Sequence, residues 1–354
     1  MKSSIQKHTL QFKFDAGTSR GVLRTKDTWF LKLWETTKPK IVGVGEAGPL
    51  AGLSPDYCPQ FESKLMELTE KLNEFDLMDL LQINLKDVFG LSDFPSILFA
   101  LETALLDLKN GGQKMVFENF FYAGKASIPI NGLVWMGDRQ FMTEQIEQKL
   151  ADGFTCLKLK IGAIDFETEC SILASIRQRY SAKEITLRVD ANGAFSSEDV
   201  WTKLDRLEKY DLHSIEQPIK PGQMELMADL CKKSPIPIAL DEELIGITQM
   251  ADKVTLLETL QPPYIILKPT LLGGFKATDE WITAAENVNT KWWITSALES
   301  NIGLNAIAQY TAEKDLKYFP QGLGTGQLYT NNIASPLVIS EGKLHYRSQI
   351  SWSQ

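Results

Sequence analysis

The feature that most constrains this chain is a run of short apolar strands that each finish on a charged residue, at a nearly constant interval. Residues 157–161 carry the Lys158-Leu-Lys160 triplet, and the strands at 185–190, 213–216, 236–241 and 264–268 end in Asp190, Glu216, Asp241 and Lys268. From Lys160 onward these ends stand 30, 26, 25 and 27 residues apart, each step the length of one strand and one helix. The intervening segments have helical periodicity. One carries Ile172, Leu173 and Ile176; the next is opened by Ser196 or Ser197 and turns Val200, Leu204 and Leu207 inward. Strands at 128–133 and 292–296 extend the series at either end. At least six such units make more than half of an eight-unit parallel barrel. An open doubly wound sheet is the alternative, but it carries a glycine fingerprint after its first strand, and none occurs.

Strand alternation sharpens the pattern. Side chains two residues apart share a face. Leu157, Leu159 and Ile161 therefore face one way, and Lys158 with Lys160 the other; Leu187 and Val189 oppose Asp190, Ile238 and Leu240 oppose Asp241, and Ile265 and Leu267 oppose Lys268. In a barrel the aliphatic set packs on the helices and the charged set points to the axis, at the end where barrel enzymes place their chemistry. A single carboxylate at a strand end is ordinarily a loop residue or a helix cap, and a lone Lys-x-Lys an exposed edge. The same choice on successive strands is a site, because charges converging at a barrel mouth are costly unless paired or metal-bound.

Residues 1–123 lack this alternation. Strands at 10–14 and 29–34 are joined through the polar stretch from Asp15 to Gly21, and helical spacing follows at 61–72 and at 96–108, where Ile97, Ala100, Leu101, Ala104, Leu105 and Leu108 form one apolar face. This order predicts an α+β domain at 1–123, a barrel at 124–320 and a C-terminal segment at 321–354 that returns to the first domain. A chain of 354 residues is long enough for both. With 37 basic against 45 acidic residues, it lacks the basic footprint of a nucleic-acid partner. No apolar run reaches membrane-span length and the N-terminus has no signal-peptide core, which points to the cytoplasm. Cys58, Cys156, Cys170 and Cys231 are scattered and read as reduced thiols.

Asp190, Glu216 and Asp241 together make a hard, all-oxygen set suited to Mg²⁺, with Mn²⁺ as a substitute. The histidines are His8, His213 and His345, too few to dominate a metal site, and His213 begins its strand far from the tip. No nucleophile elbow occurs. Lysines on both sides of the carboxylates point to proton transfer, with Lys158 depressing the pKa of Lys160 so that Lys160 acts as a base. A metal would hold a substrate carboxylate and stabilise the enediolate left when the α-proton departs.

These residues resemble the enolase superfamily over nearly the whole chain. The resemblance rests on residues 99–108 (FALETALLDL), Lys158-Leu-Lys160, Asp190-Ala-Asn192, Ile215-Glu-Gln-Pro218, Ala239-Leu-Asp-Glu-Glu243 and Leu267-Lys-Pro269. The two-lysine arrangement is that of the muconate-lactonizing subgroup. It implies a modified TIM barrel of (β/α)7β type with an α+β capping domain. It also implies Asp190, Glu216 and Asp241 as Mg²⁺ ligands, Lys160 as base and returning acid, Lys158 as its tuner, and Lys268 opposite, stabilising the enediolate. Residues 128–135, 296–301 and 322–326 resemble a dehydrating branch. That branch acts on 2-succinyl-6-hydroxy-2,4-cyclohexadiene-1-carboxylate in menaquinone synthesis.

Asn192 is expected near Lys160, Glu299 either in the pocket or capping the seventh loop, and Arg20 on a lid formed by residues 15–21, facing a succinyl carboxylate or simply exposed. The glycines at 322–326 read as a tight turn, not a phosphate cradle. Two opposed lysines also permit racemisation of N-succinyl amino acids or epimerisation of dipeptides, although the Asp-x-Asp pair of the dipeptide enzymes is missing from 296–303. A catalytically dead barrel serving as a binding module is the reading from another class. The expected partner is a small-molecule carboxylate, with no nucleic acid or membrane; a homo-oligomer stays open.

Overall fold

The computed structural model describes residues 1–18, 21–314 and 319–352. The chain opens with a long antiparallel hairpin, β1 (Lys2–Thr18) against β2 (Gly21–Trp34), and β3 (Gly43–Ala47) completes a sheet in the order β1-β2-β3. The two expected strands are present. The polar stretch after Phe14 is not the loop it suggested, because β1 runs on to Thr18 with a register shift between Gln11 and Ala16. Cross-strand pairing outweighs the weak strand preference of Asp15 and Gly17.

Four helices follow: α1 (Phe61–Lys71), α2 (Leu77–Leu80), α3 (Leu85–Val88) and α4 (Pro95–Lys109). Pro95 starts α4 where a missing N–H costs nothing. Its face of Ile97, Leu98, Leu101, Ala104, Leu105 and Leu108 is buried with Leu31 and Leu33. Each leucine buried there contributes about 1.5–3 kcal/mol. Contact with β3 is so close that a Cβ on Gly45 would stand 1.9 Å from the Ala100 carbonyl oxygen. Glycine is what lets the helix lie directly on the strand.

After β4 (Ser127–Pro129) the barrel begins. Its strands are β5 (Gly132–Val134), β6 (Cys156–Lys160), β7 (Thr186–Asp190), β8 (Ser214–Glu216), β9 (Ile238–Leu240), β10 (Tyr264–Leu267) and β11 (Lys291–Ile294), parallel and in sequence order. The helices between them are α5 (Arg139–Ala151), α6 (Phe166–Arg179), α7 (Val200–Glu208), α8 (Met224–Lys233), α9 (Met250–Leu260), α10 (Pro269–Leu272) and α11 (Gly274–Asn287), with α12 (Asn301–Ala312) after the last strand. The eighth wall position is held by residues 321–322. Gln321 bridges Ile130 and Gly322 bridges Thr295, both parallel, so the wall closes between β11 and β5. This is the (β/α)7β arrangement, and its closing residues lie just past the expected limit at 320.

The strand read at 128–133 is two strands. Ile128 belongs to β4, the edge of a small antiparallel sheet in the order β12 (Leu337–Ser340), β13 (Lys343–Tyr346), β4, whereas Leu133 belongs to β5. Pro129 lacks a donor and is tolerated on such an edge. The C-terminal segment also meets β1: the Lys13 N–H donates to the Leu328 carbonyl at 2.9 Å, and the Asn331 side chain bonds the backbone of Gln11 and Thr9, each at 2.8 Å. No helix among the described residues is long and apolar enough to cross a membrane.

Candidate active site at the barrel mouth

The alternation read along each strand holds. Leu157, Leu159, Leu187, Val189, Ile238, Leu240, Ile265 and Leu267 are buried in the main core that the barrel helices share. On the other face, register aligns the charged ends: Lys160 pairs with Asp190 across β6 and β7, and Asp190 with Glu216 across β7 and β8.

Lysines and carboxylates interleave there. The Lys158 ammonium lies 2.9 Å from Asp190 and 2.5 Å from Glu216. Lys160 donates to Asp190 at 2.9 Å and to the Asn192 side-chain oxygen at 2.7 Å. On the far flank Lys268 donates to Asp241 and stands 3.8 Å from Glu216. The two lysine groups thus approach the carboxylate row from opposite sides.

Burial is the largest influence on Asp190, Glu216, Asp241 and Lys158, and neighbouring charge reverses it at Asp190 and Lys158. For Asp190 burial pushes the pKa up, but Lys158, Lys160 and Lys268 hold it well below the usual carboxylate range. Burial, then Asp190 and Asp241, push Glu216 up to about 8 against the opposing pull of Lys158 and Lys268. Asp241 is also raised, first by burial and then by Glu242 and Asp190 against Lys268. Burial lowers Lys158, but Asp190 and Glu216 more than reverse it, so its pKa is raised. The ammonium expected to tune Lys160 is therefore directed at two carboxylates.

The backbone beyond the strand tips is shaped for this arrangement. Asn192 takes a left-handed conformation (φ 44°), which asparagine tolerates better than most residues. Its side chain accepts from Lys160 and donates to Glu242 at 3.1 Å. Gln217 (φ 38°) ties two tips together. It donates to Glu243 at 2.9 Å, and its oxygen accepts the Asp241 N–H at 3.2 Å. Neither Gln217, Glu242 nor Glu243 was singled out from the sequence as a site residue, though each lies inside a quoted motif.

Above the charges is a cavity of about 340 Å³. Lys158, Lys160, Asp190, Asn192 and Lys268 reach it from below. Its walls come from Asn131, Leu133 and Trp135, from residues 295–298, and from Gly322, Gly324 and Thr325. Capping residues 21–23 and 50–53 cover it. Of the lid expected at 15–21, residues 15–18 belong to β1 and Gly21 to β2, and Gly17 bridges Met136 at the barrel rim. Arg20 lies outside the described residues. Glu299, expected either in the pocket or capping the seventh loop, is fully buried, does not line the cavity and accepts the Ala297 N–H at 2.7 Å. The glycines at 322–326 approach the wall closely, since a Cβ on Gly322 would stand 2.3 Å from the Thr295 hydroxyl oxygen.

Among the described residues, no three His, Cys, Asp or Glu side chains converge on one metal position. The lysine ammonium groups stand between the carboxylates. The donor set still fits a hard divalent ion. Asp190, Glu216 and Asp241 are buried oxygen donors at the ends of adjacent strands, and one Glu216 oxygen has no hydrogen-bond partner among the described residues. Burial, with the neighbouring carboxylates adding to it, has raised two of the three, which added positive charge would reverse.

Residues 142–349 match the family model described as enolase C-terminal domain-like. The chain is 47% identical to the o-succinylbenzoate synthase of Desulfotalea psychrophila, covering 97% of this chain and 98% of that one. The hydrophobic dipeptide epimerase of Roseobacter litoralis is 24% identical, with 94% and 96% covered. Among solved structures, that of MenC from Desulfotalea psychrophila superposes with a TM-score of 0.86 at 43% identity, covering 98% of this chain and 99% of the other. The muconate lactonizing enzyme of Pseudomonas putida shares the fold at a TM-score of 0.76 and 18% identity, with 97% and 93% covered. This chain belongs to the enolase superfamily, on the branch of the o-succinylbenzoate synthases.

Proposed function

We propose that the chain removes water from 2-succinyl-6-hydroxy-2,4-cyclohexadiene-1-carboxylate by syn elimination, giving 2-succinylbenzoate, with Lys160 as both base and acid. The observation that carries the residue roles is the placement of Lys160 and Lys268 on opposite sides of one carboxylate row, at the floor of one cavity.

Lys160, as the base, takes the proton from the carbon bearing the carboxylate, and the C–H electron pair passes into the enediolate. That pair then forms the new ring double bond while the C–O bond at the neighbouring carbon breaks. Lys160 returns the same proton to the departing hydroxyl, which leaves as water, so one group on one face completes the reaction. Asn192 holds the Lys160 nitrogen through its side-chain oxygen. Lys268 faces the developing negative charge and the ring from the other side, where an ammonium stabilises both. Asp190, Glu216 and Asp241 would hold Mg²⁺, with Mn²⁺ as a substitute, and Lys158 braces the first two. When bound there, the ion would supply positive charge beside the substrate carboxylate, which would acidify the α-proton.

The test follows loss of the diene's ultraviolet absorbance in the presence of Mg²⁺. Lys160→Ala lowers kcat by about 10²–10⁴-fold while calorimetry still registers Mg²⁺ binding. Retained turnover removes Lys160 as the base. Parallel reactions with N-succinyl amino acids in D₂O check the choice of reaction; activity confined to them overturns it.

A further inference from the structure

The seam between the capping sheet and the barrel hides a charge cluster that the mechanism above does not use. Glu46 of β3 is fully buried and reaches the first turn of α12. Its carboxylate accepts from the Ser300 N–H at 2.8 Å, the Ser300 hydroxyl at 2.5 Å, the Gly303 N–H at 2.8 Å and the Thr28 hydroxyl at 2.8 Å. Ser300 is the N-cap of α12, so a capping-domain carboxylate sits at the positive end of a barrel helix.

Glu299, one residue earlier, is equally buried and bridges two parts of the site. One oxygen accepts the Thr270 hydroxyl, and the other accepts the Ala297 N–H at 2.7 Å. Thr270 lies two residues beyond Lys268, in the first turn of α10. Ala297 and Leu298 are cavity wall. Leu298 has a left-handed backbone (φ 64°), which a leucine adopts only when its surroundings hold it. Here Glu299 grips one side, and the Tyr329 hydroxyl donates to the Leu298 carbonyl at 2.7 Å on the other.

Facing the two carboxylates is Lys26 of β2. It is buried, and its ammonium has no hydrogen-bond partner among the described residues. It lies under Gly48, where a Cβ would come within 2.5 Å of the nitrogen. Burial lowers its pKa, opposed by Glu46, Glu299 and Asp56; burial raises that of Glu299, and Lys26 is the first influence to oppose it. A charge kept this deep without a direct hydrogen bond is compensated through space, across the seam.

We propose that Glu299 is a positioning residue for the dehydration. It ties the strand end carrying Lys268 to the cavity wall at residues 296–298, and Lys26 of the capping hairpin balances its charge. The capping sheet, the wall and Lys268 are thereby set as one unit. This rests on Lys268 acting in the reaction, as read above.

Thr270→Val removes one hydrogen bond and keeps shape and charge. It lowers kcat about tenfold, with KM changed less than about threefold, because small displacements of a charged group cost rate more than binding. Thr270→Ser restores the hydroxyl and the rate. Lys26→Met lowers kcat similarly, and adding Glu299→Gln to it recovers activity, since the uncompensated carboxylate is gone. The proposal is overturned if Thr270→Val stays within about twofold of the native kcat, or if the double variant is no better than Lys26→Met. Lys268→Met runs beside them. Normal turnover in that variant sinks the reading of Lys268; a dead Lys268→Met beside a normal Thr270→Val sinks the positioning role alone.

Discussion

The upper and lower layers of the barrel interior are built by the same strands and solve opposite problems. At the upper level Lys160, Asp190, Glu216, Asp241 and Lys268 meet at the floor of a cavity, charge against charge. One turn of the pleat below, Arg188 shares the inward face of β7 with Asp190 but meets almost no charge. Its guanidinium lies 4.1 Å from the Trp293 ring centre and 5.9 Å from that of Phe319, and donates to the Pro320 carbonyl at 2.9 Å. His213 stacks on Tyr264 with ring centres 4.9 Å apart and closes the same aromatic group. A charge can therefore point to the axis for two reasons. At the strand tip it borders a cavity and is balanced by opposite charges; deeper down it fills space and is stabilised by ring faces.

The sharpest way to break this comparison is to disarm the upper layer alone. Chelation with EDTA abolishes turnover, Mg²⁺ or Mn²⁺ restores it, and Asp190→Asn loses about 10³-fold or more in kcat/KM. Circular dichroism should show the fold unchanged; a collapsed barrel would make Asp190 structural. Trp293→Ala attacks the lower layer and costs about 3–5 kcal/mol of stability, read from urea midpoints. KM for the substrate should hold in the folded fraction, and a large shift would mean that the layers are not separable.

The smallest effect is a pH dependence. Burial, then Arg188 and Lys291, lower the His213 pKa from 6.5 to about 4. A lowered histidine is neutral in the fold, so its contribution is complete above pH 6.5 and is lost as pH falls towards 4. The loss amounts to about 3 kcal/mol at most. His213→Phe cannot take up that proton, so its urea midpoint should fall less than the native one between pH 7 and pH 4.5. Parallel curves would put the acid sensitivity elsewhere.

Much of the site was legible before any coordinates. Strand period and the spacing of Lys160, Asp190, Glu216, Asp241 and Lys268 place all five on one inward-facing, C-terminal rim, because side-chain direction on a strand is a local property. The same logic carried Asn192, two residues from Asp190. What stayed hidden came from parts of the chain with no periodic relation to the barrel. Leu50 and Leu53 from the segment after the capping sheet, Trp135 from just past β5, and Thr325 from beyond the closing wall all border one cavity. Pro129 concealed the break between β4 and β5, since an apolar run with one proline reads equally as a single edge strand.

By itself, then, the sequence determined which residues face the axis, at what interval, and with which chemistry. Only the tertiary structure decided that Lys158 turns to Asp190 and Glu216, that Glu299 stands behind the cavity wall, and that residues 321–322 close the barrel. The physical reason is one of range. Alternation fixes the direction of a side chain within a few residues, whereas the distance between two charges depends on barrel closure and on how the capping sheet seats over its mouth.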